Sequence, residues 1–232
     1  MQKYPLENYD ERSKPIDGIV LHCCAFSAKE AIKSFEEAGV SAHYIIDLNG
    51  KIIKLVDVDK RAWHAGKSFW KNQESLNNNT IGIEVCNLSL GQTPYDKRQI
   101  FSLVRLCKFL MKKYHISKKN IVGHSDIAPS RKADPGKCFP WAYLARHGIG
   151  LWYDDKTKTD IQAQNQAELL SRIGYDVSNL MAAKWAFCRH YLGELVPDDK
   201  NVKHLIDNPN PSDFTVADEV FLPVLKAVAE KY

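Results

Sequence analysis

GIVLHCCAFSAKEAIKSFEEAG, residues 18–39, holds two periodicities in one stretch. Gly18 to Phe26 is an apolar run with enough β-branched residues for a buried strand. Ser27 to Gly39 reads as a helix with both ends marked. Ser27 and Glu30 form a capping box, and Gly39 stands where a left-handed residue closes a helix. The same alternation continues downstream. HYIIDLNGKIIKLV, 43–56, is a hairpin pattern around Asn49-Gly50. TIGIEVCNL, 80–88, is a strand with Ile81, Ile83 and Val85 on one face and Gly82, Glu84 and Cys86 on the other. TPYDKRQIFSLVRLCKFLMKKYH, 93–115, predicts a long helix capped by Thr93, with Pro94 first and Asp96 completing a capping box. Its buried face is Ile100, Leu103, Val104, Cys107, Leu110 and Met111. A short strand follows at 120–123. Strands and helices in this order predict an α/β fold, a sheet with helices on its faces.

After residue 153 the pattern changes. A polar stretch leads into purely helical sequence, so three segments are expected: 1–155, a linker at 156–165, and 166–232. The last reads as a small three-helix bundle with stripes at Leu169, Leu170 and Ile173, at Met181, Trp185, Cys188 and Leu192, and at Val216, Val220, Val224 and Val228. Pro223 must start or kink the third helix. The 232 residues carry a net charge of +4 with no long Lys/Arg run, so nucleic acid is not an expected partner. No run of 18 apolar residues predicts a transmembrane helix. The polar start shows no signal peptide, although a chain beginning after a removed signal would look the same. The six cysteines show no CxxC and read as buried thiols in a reducing compartment. A monomer is expected.

GHSDIAPSRKADPGKCFPW, 123–141, is too long and too chemically loaded for a plain connection. His124 and Asp134 lie ten residues apart, with a turn at Pro135-Gly136, and His22 ends the first strand. Two imidazoles and a carboxylate form a common catalytic zinc set, with the fourth position left for water. Eight histidines and many carboxylates offer other triples, so spacing alone leaves the set open.

The loop resembles the signature of the zinc N-acetylmuramoyl-L-alanine amidases of the AmpD/AmiD kind, the amidase-2 family. GIVLHCCA, VSAHYIIDLNGKIIKLV, RAWHAGKSFW and NNNTIGIEVCN match further family segments in order, over about residues 16–153. The resemblance implies a mixed β-sheet flanked by helices. It implies one Zn²⁺ held by His22, His124 and Asp134, with Glu84 as catalytic acid–base residue and Lys132 beside it. Hydrolysis of the amide between N-acetylmuramic acid and L-alanine is the implied activity, on peptidoglycan or its fragments. The alternative is a non-catalytic wall-recognition protein with this fold. Ala42 stands where phage lysozyme-type amidases carry a tyrosine, so the chain depends on Glu84.

Trp63, His64 and Asn77 are expected at the rim of the substrate groove, and Arg131 against a substrate carboxylate. His43 reads as structural and Asp126 as a loop-orienting acceptor. Residues 166–232 resemble the three-helix peptidoglycan-binding domain of such amidases, with Tyr175 or Tyr191 lining a sugar groove. The other reading of this segment is a stabilising helical cap. A wall-binding segment points to the periplasm; the thiols and absent signal point to the cytoplasm.

Overall fold

In the computed structural model, which describes residues 2–154, 165–197 and 216–232, the expected strands assemble around one sheet. The strands are β1 (Gln2–Lys3), β2 (Tyr9–Glu11), β3 (Gly18–Cys24), β4 (Tyr44–Ile46), β5 (Ile52–Lys54), β6 (Lys60–Ala62), β7 (Phe69–Trp70), β8 (Gln73–Glu74), β9 (Thr80–Cys86) and β10 (Ile121–Gly123). Six of them form a sheet in the order β1-β5-β4-β9-β3-β10. Only the β4–β5 hairpin is antiparallel, and the other four pairings are parallel. The fold is the expected α/β arrangement, a mixed sheet flanked by helices.

The helices are α1 (Ala28–Ala38), α2 (Lys97–Tyr114), α3 (His124–Ile127), α4 (Trp141–Arg146), α5 (Gln166–Ile173), α6 (Leu180–Tyr191) and α7 (Asp218–Ala229). The Ser27–Glu30 box and the left-handed Gly39 bound α1 as expected. The start of α2 differs from expectation. Asp96 is the N-cap and makes its box with Gln99. Thr93 is instead held in a turn, where its carbonyl accepts from Asn87 Nδ2 and its amide donates to Ser89 Oγ.

The strand alternation sets what covers each face. Ile19, Leu21, Ile81, Ile83 and Val85 pack on one side against α2. Cys24, Cys86 and Ile45 point to the other side and meet Ala28, Ala31 and Ile32 of α1. The rest of that second face, Val20 and Val122, packs with Ala65, Trp70 and Ile127 into one apolar cluster with the C-terminal helices. Leu170, Ile173, Phe187, Phe221 and Leu225 are among its fully buried members.

Three expectations for the C-terminal segment need correction. Tyr175 and Tyr191 are 1% and 2% exposed, so neither can stack on a sugar in an open groove. The face of α7 runs through Phe221, Leu225 and Val228, while Val220 is exposed. Met181 is exposed too, and α6 buries Ala183, Phe187 and Cys188. Of the two readings for Pro223, a helix start is excluded, because α7 continues through it. The expected linker lies outside the described residues, apart from Asn165, whose side chain caps α5. Among the described residues, no helix is long and apolar enough to cross a membrane.

Candidate metal centre and cleft

β3, β9 and β10 run parallel, so their carboxyl ends share one edge, where open α/β sheets bind their ligands. His22 pairs in register with Glu84 across β3 and β9. Gly123 pairs with Leu21, so His124 begins α3 beside His22. The loop then returns Asp134 to the same point. Ser125 N–H donates to the Asp134 carbonyl at 2.8 Å, and the Asp134–Pro135 peptide is cis. Gly136 follows at φ 90°, where an L side chain is strained, and a Cβ would lie 2.4 Å from the Leu90 carbonyl oxygen. The turn anticipated at Pro135-Gly136 therefore has a local cause.

The three expected ligands converge. His22 Nδ1 and His124 Nδ1 are 3.0 Å apart, and Asp134 Oδ2 lies 3.3 and 3.2 Å from them. The edges of a tetrahedron with metal–ligand bonds of 2.0–2.1 Å are about 3.3 Å, so the triangle has the right size for a single ion.

Hydrogen-bond directions fit a cation between the three groups. The Thr80 hydroxyl donates to the Leu76 carbonyl at 2.5 Å, so it can only accept from His64 Nε2, 3.4 Å away. His64 Nδ1 is then bare and accepts from His22 Nε2–H at 3.0 Å. That leaves His22 Nδ1 with a lone pair. His124 Nε2 faces the Ala65 carbonyl at 3.2 Å, must donate to it, and so also leaves Nδ1 bare. Two lone pairs and a carboxylate thus point at one another with no proton between them. A divalent cation satisfies all three. Burial, then the neighbouring His124, pushes His22 down to about 4, so its imidazole is neutral and able to ligate at pH 7.

Glu84 lies on the same sheet face as His22. Its Oε2 is buried with no hydrogen-bond partner among the described residues. Burial, then the charge of Asp134, pushes its carboxyl up to about 8, against the pull of Lys132. A cleft of about 420 Å³ opens over these groups, and Lys132 lines it. So do Trp63, His64, Asn77 and Arg131, with Phe26, Phe35 and Val40 as an apolar wall.

The structure gives the four expected rim residues different roles. Trp63 forms wall, with its indole N–H buried and unpartnered among the described residues. His64 lines the cleft and also supports His22 from behind. The Asn77 side-chain oxygen accepts from the backbone amides of His64 and Ala65, at 3.0 and 2.7 Å, and so fixes that support. Arg131 Nη2 donates to the carbonyls of Ala65 and Lys67.

His43 is structural as expected. It is fully buried, its Nδ1 accepts from Gly82 N–H at 2.9 Å, and burial followed by the Arg12 charge pushes it down to about 3. Sequence reading missed Arg12, which donates to the carbonyls of Val58, Asn77, Asn78 and Thr80 and ties the segment behind the site together. A lone arginine in a polar lead carries no signal of this. Asp126 is the loop-orienting acceptor expected, not a ligand. It is fully buried and takes bonds from Gly123 N–H at 2.6 Å, Tyr175 OH at 2.7 Å and His190 Nδ1 at 2.8 Å.

A His/His/Asp donor set beside an unpaired buried glutamate, in a cleft at the carboxyl edge of a mixed sheet, has the form of a mononuclear metallohydrolase site. Residues 12–137 match the N-acetylmuramoyl-L-alanine amidase family, Amidase_2, and the chain belongs to that family. It is 37% identical over 183 residues to the N-acetylmuramoyl-L-alanine amidase AmiD of Escherichia coli K12. That alignment covers 68% of this chain and 66% of AmiD, so the chain spans just under two thirds of that relative's length. The fold is similar to that of E. coli AmiD in complex with the substrate anhydro-N-acetylmuramic acid-L-Ala-D-gamma-Glu-L-Lys. The TM-score is 0.76 at 28% identity, over 98% of this chain and 99% of the other. AmpDh3 of Pseudomonas aeruginosa, in complex with anhydromuramic pentapeptide, gives a TM-score of 0.77 at 32% identity, over 94% and 93%.

Proposed function

We propose that this chain is a zinc hydrolase. It cleaves the amide between N-acetylmuramic acid, the 1,6-anhydro form included, and the L-alanine of the stem peptide. The observation that carries the proposal is the pair of bare imidazole nitrogens facing Asp134 beside the unpaired carboxylate of Glu84. The two similar structures bound to anhydromuramyl peptides support the substrate class.

His22, His124 and Asp134 would hold one Zn²⁺, which when bound acidifies water and polarises a carbonyl. Glu84, whose carboxyl a bound cation would return to the ionised form, takes the proton from the attacking water and passes it to the leaving amine of L-alanine. Its burial matches this shuttle, because among the described residues no other group competes for Oε2. Lys132 lies at the cleft wall to offset the negative charge that develops on the carbonyl oxygen. His64 and the Ala65 carbonyl hold the two imidazoles in the ligating tautomer. Trp63 and Arg131 shape the wall against the sugar and peptide. Segment 1–155 is the catalytic part of this proposal, and 166–232, beyond the linker 156–165, a helical part packed on it.

The test is release of L-Ala-initiated peptide from an anhydromuropeptide, with zinc content measured on the same sample. A zinc-loaded, folded sample that releases no peptide leaves only the wall-recognition alternative.

A further inference from the structure

The buried carboxylate of Asp126 belongs to the metal loop, yet two of its three donors come from the C-terminal segment. Tyr175, just past α5, gives its hydroxyl, and His190 on α6 gives Nδ1. Both side chains are almost fully buried and bring no exposed surface to a ligand. The third donor is Gly123 N–H, the amide immediately before His124.

We infer that Tyr175 and His190 are positioning residues for the metal centre, acting through Asp126 to fix the backbone at His124. The inference rests on the reading of His22, His124 and Asp134 as the zinc ligands. Three features carry it. Asp126 is fully buried, and an ionised carboxylate there is tolerable only with its donors in place. Gly123 has no room to drift, since a Cβ there would lie 2.8 Å from Pro135 Cδ and 3.2 Å from the Trp141 ring. His190 is itself held in plane, stacked on Trp141 at 3.8 Å between ring centroids and tilted by 14°. The donors therefore sit on a rigid base, and the acceptor lies two residues from a ligand. The C-terminal helices reach the chemistry by this route without touching substrate.

The test uses the full chain. Tyr175→Phe removes one hydroxyl and keeps the ring, and His190→Asn keeps a donor near the Nδ1 position while His190→Ala removes it. Leu170→Ala, which removes apolar burial in the same cluster and keeps the backbone bond to Tyr175, is the control for general destabilisation. Zinc affinity is read by competition with a chromogenic chelator, and site geometry by the visible spectrum of the Co²⁺-substituted protein. Tyr175→Phe and His190→Ala should each weaken zinc binding about tenfold and change the Co²⁺ spectrum. His190→Asn should recover most of the affinity, and Leu170→Ala should lower the melting temperature with wild-type affinity and spectrum. Wild-type affinity in both Tyr175→Phe and His190→Ala, or equal loss in Leu170→Ala, overturns the positioning role while leaving the zinc site intact. A wild-type chain that binds no zinc overturns both readings together.

Discussion

Gly82→Ala should disable the metal centre from behind. Gly82 lies in the middle of β9 on the face of Glu84, and a Cβ there would stand 2.4 Å from His64 Cγ and 2.7 Å from Cδ2 and Nδ1. Ordinary carbon contact begins near 3.5 Å, so the ring must retreat by about 1 Å. The 3.0 Å bond from His22 Nε2–H to His64 Nδ1 cannot survive that retreat. Overpacking of this kind costs about 1–3 kcal/mol, and a buried N–H left without a partner about 1–3 more. The sum is a sizeable part of a typical domain's roughly 5–15 kcal/mol. Denaturant unfolding of the metal-free protein reads the stability, and chelator competition reads zinc affinity, which should fall about 10–100-fold. Repeating the substitution in a His64→Ala background supplies the decisive comparison. With the ring gone, Gly82→Ala should cost less than about 1 kcal/mol, because alanine suits a strand interior better than glycine. Equal costs in the two backgrounds, or unchanged zinc affinity in the single variant, would refute this account of His64.

Chelation should abolish peptide release and Zn²⁺ should restore it, while His22→Ala should lose zinc and activity together; full activity at negligible zinc content would sink the ligand assignment. Glu84→Gln should retain zinc and lose about 10²–10⁴ in rate, because it keeps the shape and removes the base. Lys132→Ala should lose about 10²–10³ with zinc retained. Near-normal turnover in either variant would strip that residue of its role. The metal-free protein should lose stability in acid. His22 and His43 sit near 4 and 3 in the folded chain against an ordinary 6.5, so below pH 6.5 the unfolded chain binds protons that the folded chain refuses. Stability present above pH 6.5 is lost on acidification toward pH 4, at about 1.4 kcal/mol per pH unit for each histidine. A flat unfolding free energy over that window would show that these imidazoles are not held neutral.

Local chemistry explains which features could be read from the sequence. The α1 boundaries, the hairpin at Asn49-Gly50 and the two-faced strand at 80–86 each depend on residues a few positions apart, and the structure keeps all three. The convergence of His22, His124 and Asp134 spans more than 100 residues. Composition and spacing left it open, and only the family resemblance singled it out. Nothing local says that the His64 ring, besides lining the cleft, lies over a glycine of β9. Gly82 was the available signal, since a glycine inside a strand often marks such an approach. The valine series holds only in part: Val216 precedes the helix and Val220 falls on its exposed side, while Val224 and Val228 pack in the cluster. Tyr175 and His190 carry no mark of their partner, which lies 49 and 64 residues away.

The shared apolar cluster sets a timetable for synthesis. The face of the sheet under α2 is covered by residues 97–114, which are made before the strand at 121–123. Val20, Val122 and Trp70, on the other side, pack against Phe187, Phe221 and Leu225, near the end of the chain. At a translation rate of about 5–20 residues per second, the 67 residues from Asp154 to Phe221 take on the order of 3–13 s. For that time the nascent chain carries a ready-made sheet with part of one side bare. The cell must shield that surface or synthesise past it quickly, and a ribosome stalled between residues 154 and 221 would release a fragment prone to aggregate.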